Sequence, residues 1–68
     1  MITEIGIVAG EIWHFLDQHG EVSLSTLAEG IDKPRENVLM SLGWLAREGH
    51  VVLLKISGEY SVSLRKNV

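Results

Sequence analysis

Apolar residues along the first twenty positions fall at the spacing of one helical face, Ile5, Val8, Ala9, Ile12 and Leu16, with Trp13 and Phe15 on its flanks. The spacing predicts an amphipathic helix that stops at Gly20, a residue type that takes the left-handed backbone past a helix end without strain. Val22 then opens a short extended piece. Ser23 is placed to cap a second helix, its hydroxyl accepting a hydrogen bond from an amide the helix itself leaves unpaired. Leu24, Leu27, Ala28 and Ile31 give that helix one apolar face, and Gly30 is expected to break it within two turns.

A third helix is expected from near Lys33, with Asp32 as its cap and Pro34 in the first turn, where a missing N–H costs nothing. Val38, Leu42, Leu45 and Ala46 form its inward stripe, and Gly49 is its stop signal. Residues 50–56 are rich in β-formers, Ser57-Gly58 is a turn signal, and residues 59–65 alternate polar with apolar, which predicts a hairpin. With a two-residue loop, Val51, Leu53 and Lys55 share a face with Leu64, Val62 and Tyr60. Val52, Leu54 and Ile56 then share the other with Ser63, Ser61 and Glu59. The first strand is apolar on both faces, and a small monomer would leave one of them exposed.

Two helices joined by a short turn, the second running into a hairpin, are the order of a winged helix-turn-helix. The fold class expected is therefore α+β, mainly α: three helices, a C-terminal β-hairpin wing and a short strand near Val22, as a single domain over residues 1–68. A 46% hydrophobic and 22% charged composition is that of a chain able to fold. The absence of cysteine removes disulfides and thiol chemistry and suits a reducing cytoplasm, and no apolar run is long enough for a membrane span.

The net charge of −3 speaks against nucleic acid until its distribution is considered. Residues 1–32 carry six acids and no Lys or Arg, and residues 33–68 carry six bases against three acids, so −6 is followed by +3. The asymmetry is either an uneven solvated surface or the footprint of a phosphate-binding half.

Ile5-Gly6 and Ala9-Gly10-Glu11-Ile12-Trp13, together with Gly43-Trp44-Leu45-Ala46-Arg47-Glu48, resemble a family of small stand-alone prokaryotic winged helix-turn-helix proteins of no established function. The resemblance spans nearly the whole chain and implies that fold and a homodimer. It supplies no ligand, operator or functional residue. Many members have Asp or Asn after the Arg-Glu pair where this chain has Gly49, a departure that bears only on the helix stop.

At roughly 100° per residue, Lys33, Asn37, Met40, Trp44 and Arg47 fall together, opposite the inward stripe of the third helix. As a face in the major groove of double-stranded DNA it offers Lys33, Arg35, Asn37 and Arg47 to bases and phosphates, with Lys55 of the wing on the backbone. Ordinary solvated charges are the competing reading. Met40 and Trp44 instead suit a protein contact, or Trp44 tucks under the hairpin as core. Gly6 and Gly10, one turn apart beside Trp13, need a packing reason: either a dimer contact, or an intramolecular crossing by Gly43 or the hairpin. His14 and His19 point to different sides of their helix, no carboxylate pair has metal-ligand spacing and no phosphate loop is present. Neither an enzyme nor a cofactor or metal site is expected. The functional expectation is a DNA-binding regulator or accessory factor, the alternative a winged-helix module for protein contact.

Overall fold

The computed structural model describes residues 2–65, which leaves Lys66, one of the six bases, outside it. The order of elements is α1 (Ile2–His19), β1 (Val22–Ser23), α2 (Leu24–Ile31), α3 (Arg35–Arg47), β2 (Val51–Ile56) and β3 (Glu59–Leu64). The strands form one antiparallel sheet in the order β1-β3-β2. The winged helix-turn-helix follows, with the short strand at Val22 paired to Val62 of the wing.

Local chemistry accounts for most boundaries. Gly20 closes α1 at φ 75°, its amide bonded to the Leu16 carbonyl at 2.8 Å. The Ser23 side chain accepts from the Thr26 amide at 3.1 Å, the expected cap of α2. Gly49, at φ 81°, ends α3: its amide bonds to the Ala46 carbonyl and the His50 amide to the Leu45 carbonyl, the paired bonds of a Schellman stop. Ser57 and Gly58 both have positive φ, as a two-residue primed turn requires, and the register runs Ile56 with Glu59 through Val51 with Leu64, as expected.

The link between α2 and α3 differs from expectation in three ways. Gly30 does not break α2 but lies within it. Asp32, expected to cap α3, instead ends α2 in the left-handed conformation at φ 58°, its amide on the Ala28 carbonyl. Lys33 is outside α3, because the residue before a proline is disfavoured in the helical region. Pro34 takes the cap position, and its carbonyl accepts from the amides of Asn37 and Val38 at 3.0 and 3.1 Å.

The core is one cluster to which every helix contributes: Val8, Ala9, Ile12 and Leu16 from α1, Leu24 and Leu27 from α2, Val38, Leu42 and Leu45 from α3, then Val51 and Val62 from the wing. Ser41 is fully buried among the inward residues of α3, and its hydroxyl has no hydrogen-bond partner among the described residues. The Phe15 ring crosses to α2 and sits where a Cβ on Gly30 would be, 2.6 Å from Cζ. That contact is the reason for the glycine.

Candidate interaction surface

What the core leaves uncovered on α3 is a stripe. Glu36, Met40, Gly43 and Arg47, at spacings of four, three and four residues, fall within roughly 60° of one another and all face solvent. Leu39 flanks the stripe on the wing side and Trp44 flanks it on the other, 42% and 49% exposed, with Met40 at 38% between them. Trp44 is therefore not tucked under the hairpin. Between α3 and the wing, Leu39, Leu42 and Gly43 meet Leu53 and Tyr60, with Leu24 at the floor, to form an apolar groove of about 210 Å³. The opposite, solvent face of β2 is apolar as well, with Leu54 and Ile56 exposed on it.

Among the described residues the charged groups do not gather into a basic patch. Lys33, expected beside Met40 and Trp44, instead reaches α1, where its Nζ lies 3.5 Å from the Glu11 carboxylate. Asn37 is half-buried in a recess with Glu4, Ile7, Val8, Lys33 and Pro34, on the α1 side of the helix and away from the groove. Arg35 and Arg47 are exposed at opposite ends of α3, each followed by a glutamate, Glu36 and Glu48. Lys55 lies over the Tyr60 ring, 5.7 Å from its centroid. Two acids border the same hairpin: Glu59 accepts from the Ser25 hydroxyl at 3.4 Å, and Glu21 accepts a short bond from Ser61. The five residues expected to touch DNA are thus spread over two sides of the molecule.

Among the described residues, a Cβ on Gly6, Gly10 or Gly43 would meet no atom within 4 Å beyond its own helix backbone and chain neighbours. No described residue makes the intramolecular crossing considered for the α1 glycines, and Trp13 and, further round, Ile7 are exposed beside them. Sequence reasoning overlooked Leu39, Gly43, Leu53 and Tyr60 as one apolar wall. The signal was there in the four-three-four spacing of the α3 stripe and the two apolar faces of β2.

Residues 1–64 match the family model described as Winged helix-turn-helix domain (DUF2582). The chain is similar to the uncharacterized protein MJ1608 of Methanocaldococcus jannaschii, 38% identical over 68 residues and 96% of each chain. It is also similar in structure to protein BT2368 from Bacteroides thetaiotaomicron, at a TM-score of 0.81 and 31% identity, over 91% of this chain and 76% of that one. The Zalpha domain of Carassius auratus PKZ, solved in complex with Z-DNA, superposes at a TM-score of 0.79 over 90% of this chain and 97% of its own. At 23% identity that likeness is one of fold alone.

Proposed function

This chain belongs to the winged helix-turn-helix family DUF2582, and we propose that it is an interaction module whose α3 and wing bind protein rather than read DNA. The observation that carries the reading is the groove between α3 and β2. In a winged helix that enters the major groove, the solvent face of this helix carries side chains that hydrogen-bond base edges. Here that face presents Leu39, Met40, Gly43 and Trp44, beside Leu53 and Tyr60. Apolar and aromatic residues with Met at the centre and charge at the ends is the composition of a protein interface.

The DNA-binding reading, as a regulator or accessory factor, is favoured by one observation: Arg35 and Arg47 of α3 and Lys55 of the wing are all exposed. The two readings part in a salt titration. Fluorescence anisotropy with mixed-sequence duplexes between about 50 and 200 mM salt should give weak binding at most, with no dependence on Met40 or Trp44. Tight binding whose salt slope falls by about one for each of Arg35, Arg47 and Lys55 neutralised would overturn the protein-binding reading.

A further inference from the structure

We infer that the partner of the α3 stripe is a second copy of this chain, with the two α3 helices antiparallel about a two-fold axis that sets Glu36 against Arg47 of the copy and Met40 over Gly43 of the copy. The inference rests on the protein-binding reading of α3 and adds the occupant and its register. In an antiparallel pair related by a two-fold axis, facing positions have a constant sum. Glu36 with Arg47 and Met40 with Gly43 give the same sum, 83, so one register satisfies both contacts twice.

Three features of the chain fit this register. Glu36 and Arg47 lie on one line of the helix surface with opposite charge at its two ends, and neither has an ion-pair partner among the described residues. Two copies in this arrangement therefore place unlike charges together at both ends. A parallel pair in register would set Glu36 against Glu36 and Arg47 against Arg47. Gly43 costs stability in the middle of a helix, and among the described residues nothing outside its own helix backbone lies where a Cβ would touch it. A thioether from the facing helix fills that dent, and Met is the side chain most able to adapt to it. Leu39 and Trp44, exposed on the two flanks, close over the seam.

The test is sedimentation equilibrium of the full chain at low salt between roughly 1 and 100 µM, a span suited to a micromolar dissociation constant. Wild type should be a dimer. Glu36→Arg and Arg47→Glu each leave like charges facing at both ends and should each weaken the dimer at least about tenfold. Mixing the two variants restores both opposite-charge contacts and should give a heterodimer, and the double exchange should dimerise by itself. Both positions are exposed, and recovery in the mixture shows that each variant is folded. A wild-type monomer across the range would overturn this inference while the protein-binding reading stands or falls by the DNA titration. A dimer indifferent to both reversals, or no recovery on mixing, would overturn the register.

Discussion

The ring of Phe15 occupies the space that a Cβ on Gly30 would fill, so a residue of α1 dictates the one glycine inside α2. Gly10, in the middle of α1, meets nothing there. The two helical glycines should respond oppositely to the same change. Gly30→Ala forces the ring aside and should cost about 1 to 3 kcal/mol, the usual range for overpacking. Gly10→Ala should raise stability by up to about 1 kcal/mol, the difference in helix propensity. Urea denaturation of both variants decides it, and a stabilising Gly30→Ala would show that Phe15 is free to leave.

Ser41 makes the second case. Its hydroxyl is fully buried and unpaired, so the fold carries the cost of taking it out of water with no bond in return. Ser41→Ala should leave the denaturation midpoint unchanged or higher, by up to about 1 to 2 kcal/mol. A loss of more than about 1 kcal/mol would mean that the hydroxyl is bonded in solution.

Leu42 and Leu45 are buried on the inward side of the same helix. Either changed to Ala should cost roughly 2 to 5 kcal/mol, a large share of a small domain's stability. By contrast, the Lys33 to Glu11 pair is about two-fifths exposed on both partners, and Lys33→Met should change stability by less than about 1 kcal/mol. A larger loss that disappears in high salt would show that this pair anchors the α2–α3 link to α1.

Where the sequence is read correctly, a local interaction sets the structure. A two-residue Ser57-Gly58 turn leaves one register open to the hairpin, and Gly49 after an apolar helix end permits the Schellman bonds. The errors lie where a distant or competing constraint wins. Asp32 can serve either helix next to it, and Pro34 decides the matter by excluding Lys33 from α3. Gly30 looks like a breaker until Phe15, fifteen residues earlier, is seen beside it. The helical wheel that grouped Lys33 and Asn37 with Met40 extended α3 two residues too far. It also could not anticipate that the start of α1 would half-cover Asn37. Trp44 left core and interface both open in the sequence, and only the packed position of the wing distinguishes them.

The central claim, that the α3 face is a protein-contact surface covered by a second copy of the chain, is tested most directly at Trp44 itself. With Trp13→Phe leaving Trp44 as the sole tryptophan, its emission and acrylamide quenching can be followed from about 0.1 to about 100 µM chain, spanning micromolar association. The account predicts a blue shift and falling quencher access as concentration rises, with Gly43→Leu abolishing both by blocking close approach of the facing helix. A spectrum that stays solvent-exposed and equally quenched over the whole range would contradict self-association through α3.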